Sequence, residues 1–282
     1  MYYDSSVIEL SQENLSKYFE IADASSSWYT EPTNTFDFVS RSSDTLVVTI
    51  GDSWTYGATL KSNDRQKNVY GNHLSNMLNA DWLNLGLPAS GNFWLVEKVE
   101  ELSRIIQYLP YKKFIVICVF TGVGRWFDTR YDTYIKYTQW FDEYIGDDFE
   151  KLLSMLNQEC ARRILDATNK IPNLTLKIGT NFVEHVGFDT LPRECILPSP
   201  WYSLLVDDNE TVYNCSYYGR FKHSLNFMDK KHHNNFKQWY INLYEKTEHR
   251  INVLNKSDYF DSGHPLEYGH KQWAEYVFGE IE

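Results

Sequence analysis

The sequence predicts an α/β protein in which helices cover both faces of a mostly parallel sheet, giving a three-layer α/β/α sandwich. Two observations lead to this prediction. Short apolar, largely β-branched runs alternate along the chain with longer segments whose apolar residues recur at helical spacing. Alternating strands and helices fold as layers around one core, because each parallel strand is reached by a crossover helix. The 282 residues contain no repeat, low-complexity tract or Gly/Ser linker, so we predict one domain over residues 1–282.

The first half of the chain supplies three predicted strands and two predicted helices. The run TLVVTI at 45–50 is typical of a strand that is buried on both faces. Apolar residues at helical spacing predict a helix over 69–80, and DWLNLG at 81–86 predicts the second strand. A longer helix is predicted over 92–109, with a proline just beyond it as a stop signal. The run KFIVICVF at 113–120 then predicts the central strand.

The second half continues the alternation and adds insertions of loops and helices. Apolar residues from Phe149 onward fall on one helical face, and NLTLKIGTNF at 173–182 predicts a fourth strand. A closing helix is predicted within 265–281. Residues 1–43 are expected to form a helix and an irregular lead-in on the outside of the domain. Residues 183–258 are expected to be an insertion and a candidate lid.

The formal net charge of −11 limits the classes of partner. A chain with this charge is repelled by phosphate backbones unless it carries a local basic patch. The candidate patch is 219–239, where basic residues and histidines interleave with aromatic residues, a mixture that could bind single-stranded nucleic acid or an anionic glycan. A solvated helix face with its core aromatics explains the same pattern and is favoured. We therefore do not expect a nucleic-acid partner.

The termini and the cysteines indicate a cytoplasmic setting. The N-terminal segment has neither a basic start nor an unbroken apolar stretch, so we expect no signal peptide. No window approaches the roughly 18–20 apolar residues of a membrane helix, so we expect no membrane partner. The cysteines are widely spread without a C-x-x-C pair, which argues against a disulfide framework or a zinc site. They are Cys118, Cys160, Cys195 and Cys215.

The segments that directly follow the predicted strands are the candidate functional sites. In open parallel sheets, function collects in the crevice beyond the carboxyl ends of the strands. The first strand is followed by GDSWTYG, which contains Ser53. The second is followed by GLPASGN with Gly91 and Asn92, and the third by TGVGRW with Gly122 and Arg125.

Two interpretations of Ser53 compete. Asp52 and Ser53 could cap the next helix, since both residue types favour that position. Alternatively, Ser53 is a nucleophile, which requires an imidazole to take its proton and an acceptor to hold the other ring nitrogen. Asp261 and His264 lie three residues apart just before the closing helix, so a single turn can bring the carboxylate to the ring. Their presence favours the nucleophile.

The order of these motifs resembles that of the SGNH (GDSL) hydrolase superfamily. GDS follows the first strand, a glycine turn follows the second, and D-x-x-H-P stands before the last helix. The likeness therefore covers 45–280 as a framework, with the inserts 126–148 and 183–258 outside it. The resemblance implies a flavodoxin-like three-layer fold in which Ser53 is the nucleophile, Asp261 the acid and His264 the base. The many Tyr, Asn and Asp residues are similar to those of phage-encoded members of the superfamily.

The oxyanion site is the part in which the sequence departs from the family pattern. A glycine of the second motif supplies an N–H in the family, which maps to Gly91 or, as second choice, Gly86. The third motif usually reads G-x-N-D with a donor asparagine, whereas this chain has T-G-V-G-R at the matching place. Arg125, Asn92 or Asn181 could replace that donor, or the oxyanion site is weaker. Arg125 could equally form a salt bridge.

These observations predict a carboxylic ester hydrolase, either an esterase or a deacetylase. The substrate class is an acyl or acetyl ester of a small molecule or glycan, since aromatic-rich insertions could stack on sugars. An acyltransferase that excludes water from the same site and an inactive binding module are the alternatives. The chemistry needs no cofactor. No metal site is expected, because His232 and His233 have no acidic or cysteine partner at useful spacing.

Overall fold

The computed structural model describes residues 37–58, 60–61, 64–88, 90–121, 149–181, 188, 190–201, 260–261 and 264–282. These residues form a five-stranded sheet flanked by helices and a two-stranded hairpin. In chain order the elements are β1 (Asp37–Val39), β2 (Thr45–Ile50), α1 (Ser53–Tyr56), α2 (Arg65–Asn68), α3 (Tyr70–Met77), β3 (Asp81–Asn84), α4 (Asn92–Ile105), β4 (Lys113–Phe120), α5 (Phe149–Thr168), β5 (Leu174–Thr180), β6 (Phe260–Asp261), β7 (His264–Pro265) and α6 (Glu267–Gly279).

The sheet confirms the predicted fold class. Its strand order is β1-β3-β2-β4-β5, and the four strands β2 to β5 run parallel. The chain leaves β2 on one side to form β3, then returns past β2 to form β4. Right-handed crossovers in these two directions place α3 and α4 on opposite faces. The last helix, α6, packs on α3, while α5 packs on α4, so each face carries a helical layer.

The central strands have the burial that their composition predicts. Every residue of β2 after Thr45 and every residue of β4 after Lys113 is buried. Residues of neighbouring strands lie side by side across the sheet: Val47 of β2 is opposite both Trp82 of β3 and Ile115 of β4. Apolar side chains from both helical layers complete this core, which explains why the two strands are apolar without alternation.

The sequence did not predict β1. This strand of three residues pairs antiparallel with β3 at the edge of the sheet, with Phe38 opposite Leu83. Three residues are too few to show a periodic pattern. A long-range contact holds the strand, because the Asp37 carboxylate pairs with the Arg65 guanidinium at 2.5 Å. Residues 1–36 of the expected lead-in lie outside the described residues.

The start of the predicted insertion belongs to the core. Phe188, Leu197 and Trp201 are buried, and the Leu197 N–H donates to the carbonyl of Ile178 in β5. Most of the remaining insertion, from residue 202 to 259, lies outside the described residues. Cys118, Cys160 and Cys195 are free thiols. Within the described part of the chain, no helix is long and apolar enough to cross a membrane.

Candidate active site

The first strand end leads directly into a four-residue helix. After Ile50, Asp52 has extended backbone angles, and its Oδ1 accepts a hydrogen bond of 2.9 Å from the N–H of Trp54. Asp52 is therefore the N-cap of α1, and Ser53 is the first helical residue. Of Asp52 and Ser53, it is Asp52 that caps the helix. Helix capping therefore does not explain the hydroxyl of Ser53.

The serine hydroxyl meets the predicted histidine. Oγ of Ser53 lies 2.9 Å from Nε2 of His264, a hydrogen-bond distance between residues 211 positions apart. Both residues are buried, with 3% and 4% of their surface exposed. The two groups that the sequence singled out as nucleophile and base are therefore in contact.

The backbone of Asp261 lies directly across from that of His264. The strands β6 and β7 form an antiparallel pair in which Asp261 is opposite His264 and Phe260 is opposite Pro265. The described part of Asp261 is its backbone. A contact between its carboxylate and the imidazole remains a prediction.

Three strand ends converge on the Asp52 carboxylate. Its Oδ2 accepts a hydrogen bond of 2.7 Å from Oγ1 of Thr121, the residue that follows β4. Its Oδ1, besides capping α1, accepts one of 2.9 Å from Nδ2 of Asn181, the residue that follows β5. The sequence offered Asn181 only as a possible oxyanion donor and did not connect it or Thr121 to Asp52, because a lone threonine and a lone asparagine carry no spacing motif. The available signal was their position as the first polar residue after a parallel strand.

Asn92 joins this cluster from the segment that follows β3, where it is the first residue of α4. Its Oδ1 accepts a hydrogen bond of 2.9 Å from the N–H of Thr121, and its Nδ2 lies 3.4 Å from Oδ1 of Asn157. Gly91 occupies the N-cap position of α4 and has extended backbone angles. The structure thus places both residues at the predicted edge of the sheet, and their role toward an oxyanion stays a prediction.

Gly86 has a different environment from Gly91. Its N–H donates to Oδ1 of Asn84 at 3.1 Å, so this donor is already engaged. A Cβ at this position would lie 2.6 Å from the backbone nitrogen of Tyr56 in α1. Gly86 therefore allows close packing beneath the helix that carries Ser53.

Side chains also satisfy the C-terminal carbonyls of α1. The carbonyl of Thr55 accepts a hydrogen bond of 3.2 Å from Nδ2 of Asn84, and that of Tyr56 accepts one of 2.9 Å from Arg65. Helix ends leave such carbonyls without a partner inside the helix. Because Arg65 also pairs with Asp37, this end of the nucleophile helix is tied to the edge strand β1.

An aromatic cluster joins the nucleophile helix to the helix that follows His264. The indole of Trp201 packs edge-on against Trp54, stacks on Trp273 and donates a hydrogen bond of 3.3 Å to the carbonyl of Gly269. His270 lies in the same cluster, where its Nδ1 accepts from the N–H of Tyr70. Burial disfavours the charged imidazole and lowers the pKa of His270 to about 3. His270 therefore contributes to the packing of this cluster, where its ring contacts Tyr70 and Trp201.

Several predicted sites lie outside the described residues. Among the site residues these are Gly122 and Arg125. The basic and aromatic stretch 219–239, with its pair His232 and His233, lies outside as well.

Comparisons with known proteins give only distant likeness. No protein-family model matches the chain, and no curated protein matches its sequence. A solved structure of a protein of the lipolytic G-D-S-L family from Desulfitobacterium hafniense DCB-2 has 14% identity and a TM-score of 0.38, covering 84% of this chain and 99% of that one. The lipase Lip_vut3 from a goat rumen metagenome has 10% identity and a TM-score of 0.39, covering 83% and 96%. The function proposed for this chain therefore rests on the geometry of the site.

Proposed function

We propose that the protein is a serine hydrolase of the SGNH (GDSL) type that cleaves carboxylic esters. The observation that carries this proposal is the buried contact of 2.9 Å between Oγ of Ser53 and Nε2 of His264. It lies where the parallel strands end, at the edge on which active sites of open α/β sheets form. A serine needed only for helix capping would not require an imidazole, and Asp52 already provides the cap.

The first half-reaction transfers the acyl group to the enzyme. When Nδ1 of His264 carries the ring proton, Nε2 accepts the hydroxyl proton as Oγ of Ser53 attacks the ester carbonyl carbon. The N–H groups of Ser53 and Gly91 bind the oxyanion that forms, and each such donor is worth about 3 kcal/mol of transition-state stabilisation. The imidazolium then gives its proton to the departing alkoxide, which leaves as the alcohol.

The second half-reaction restores the enzyme. A water molecule gives a proton to Nε2 of His264 as its oxygen attacks the acyl carbon, and the carboxylic acid leaves when Oγ of Ser53 regains a proton from the ring. An ester has a better leaving group than an amide, so the pair can act without a metal or cofactor. We propose an acyl or acetyl ester of a small molecule or glycan as the substrate.

Asp261 completes the proposed triad. A catalytic imidazole needs an acceptor for its Nδ1 proton, which fixes the tautomer and stabilises the imidazolium. The register of β6 and β7 supports this role, because it sets the backbones of Asp261 and His264 directly opposite each other. The proposed roles are therefore nucleophile for Ser53, base for His264 and orienting acid for Asp261.

Turnover of p-nitrophenyl acetate tests the proposal. The wild type should release p-nitrophenolate, whereas Ser53→Ala and His264→Gln should lose nearly all of this activity. Ser75→Ala is the matched control, because Ser75 is also buried but its hydroxyl bonds to the Asn72 carbonyl in α3. Equal rates in the wild type and Ser53→Ala would contradict the proposal. A screen of acetylated oligosaccharides, with and without an acceptor alcohol, then separates hydrolysis from acyl transfer.

A further inference from the structure

We propose that Thr121 and Asn181 are positioning residues for the nucleophile and act on Ser53 through the Asp52 carboxylate. This inference rests on the proposed function, because the position of Ser53 affects a reaction rate only if Ser53 is the nucleophile. It gives a role to Thr121, the first residue of the TGVGRW segment, and gives Asn181 a role other than that of the oxyanion donor considered from the sequence.

The Asp52 carboxylate is buried and accepts several hydrogen bonds. The side chain is 1% exposed, and an ionised carboxylate can only accept hydrogen bonds. Burying such a group is costly unless donors surround it. Among the described residues, its donors include Oγ1 of Thr121 at 2.7 Å, Nδ2 of Asn181 at 2.9 Å and the N–H of Trp54 at 2.9 Å. Thr121 and Asn181 stand at distant strand ends, so the carboxylate links β4 and β5 to α1.

Both distant donors, Thr121 and Asn181, are themselves held in place by backbone hydrogen bonds. The N–H of Thr121 donates to Oδ1 of Asn92, and the N–H of Asn181 donates to the carbonyl of Phe120, each at 2.9 Å. Thr121 and Asn181 directly follow β4 and β5, which pair in parallel up to the last residue of each strand, with Phe120 opposite Thr180. The Asp52 carboxylate is therefore fixed to the sheet rather than to a loop.

The position of Ser53 depends on the anchored Asp52 carboxylate. The helix α1 has only four residues, and so short a helix has no stability of its own. Asp52 both precedes Ser53 in the chain and caps the helix, so a shift of the carboxylate shifts the start of α1. A nucleophile displaced by about 1 Å can lose about 100-fold in rate. The anchor therefore acts on the chemical step and not on substrate binding.

The Asn181 amide provides an independent observation. Its side chain is fully buried, and its Oδ1 has no hydrogen-bond partner among the described residues. Leaving a buried acceptor without a partner is unfavourable. An asparagine kept under this penalty serves through its other end, the Nδ2 group that donates to Asp52. The unpaired Oδ1 of Asn181 thus supports a role for its Nδ2 group.

The first test uses the rate at which a fluorophosphonate labels Ser53, measured by mass spectrometry, together with kcat and KM for p-nitrophenyl acetate. Thr121→Val removes the hydroxyl but keeps the shape, and should lower kcat and the labelling rate about 10- to 100-fold with KM within about 2-fold. Thr121→Ser restores the donor and should stay within about 3-fold of the wild type. Thr168→Val is the matched control, because the buried Thr168 hydroxyl bonds to the Ile164 carbonyl within α5.

The second test uses Asn181→Asp, which places a second carboxylate against Asp52. Two adjacent carboxylates repel when both are ionised, whereas one proton shared between them restores the hydrogen bond. The activity of Asn181→Asp relative to the wild type should therefore rise at least 5-fold as the pH falls from 8 to 5.5. This test decides the matter if Thr121→Val does not fold.

The possible results separate the two proposals. An active wild type whose Thr121→Val variant is labelled at the full rate, or whose Asn181→Asp ratio is flat with pH, overturns the positioning role alone. A wild type that neither turns over nor reacts with the phosphonate overturns the proposed function and this role with it. Loss of rate in Thr121→Val with recovery in Thr121→Ser supports both.

Discussion

Gly86 lies directly against the backbone of Tyr56, the last residue of the helix that carries Ser53. A Cβ built at Gly86 would lie 2.6 Å from the nitrogen of Tyr56 and 2.8 Å from the carbonyl carbon of Thr55. Both are backbone atoms, which cannot rotate away as a side chain can. The turn after β3 and the helix α1 can approach this closely only with glycine at this position.

The first prediction is that Gly86→Ala displaces the nucleophile. Because the added methyl group must push α1 away, we expect at least a 10-fold loss of kcat for p-nitrophenyl acetate. Gly279→Ala is the matched control, since a Cβ there meets nothing within 4 Å and should leave the rate unchanged. An unchanged rate in Gly86→Ala would show that the packing of α1 on this turn does not set the position of Ser53.

The second prediction concerns Trp201 in the aromatic cluster. The fully buried indole contacts Trp54 beside the nucleophile and Trp273 in α6. Trp201→Ala leaves a cavity between these elements and should lower the free energy of unfolding by about 3–5 kcal/mol. Trp201→Phe keeps an aromatic ring and should cost less. Urea unfolding of the three proteins measures both values, and equal stability of Trp201→Ala and the wild type would contradict this packing.

The third prediction is a loss of stability in acid that depends on His270. Burial lowers the pKa of this imidazole to about 3, and the nearby His73 and His264 act in the same direction. In the unfolded chain the pKa is near 6.5. Between these values the unfolded chain binds the extra proton, so the free energy of unfolding falls as the pH drops through this range.

The change of the free energy of unfolding with pH is the quantity that tests the role of His270. One proton contributes at most about 1.4 kcal/mol per pH unit, and the full stability is present above the unfolded pKa. Urea unfolding at pH 7.5 and pH 5.5 should show a smaller drop for His270→Gln than for the wild type. An equal drop in both proteins would mean that other groups cause the acid sensitivity.

The fourth prediction concerns Asp261. If its carboxylate orients His264, Asp261→Asn should lower kcat by about 10²–10⁴-fold, because an amide favours the wrong imidazole tautomer. The melting temperature and the KM should change little, since β6 and β7 pair through their backbones. Asp261→Asn with wild-type kcat would remove Asp261 from the triad while leaving the pair of Ser53 and His264 intact.

The sequence was sufficient to predict the elements whose pattern is local. The strands β2 and β4 were predicted with their observed bounds, because each is a continuous apolar run between polar ends. In contrast, α4 ends at Ile105 and continues as a 3₁₀ turn, where the prediction extended a single helix to 109. The edge strand β1 was missed because its pairing with β3 comes from distant contacts rather than from a pattern of its own.

The same distinction applies to the candidate site. Ser53 and His264 could be singled out because each lies in a recognisable motif, and the structure brings them into contact. The link from Thr121 and Asn181 to Asp52 could not be predicted, because these residues become neighbours only through the order of the strands. Strand order depends on how helices and strands pack across the whole domain, which short spacings in a sequence do not encode.

Labelling with a fluorophosphonate tests the central claim most directly, because it requires an activated serine and no knowledge of the natural ester. The wild type should gain one adduct, which peptide mapping places on Ser53. Ser53→Ala should gain none, and His264→Gln should react at least 100-fold more slowly. An unlabelled wild type, or an adduct on another residue, would contradict the assignment of Ser53 and His264 as a catalytic pair.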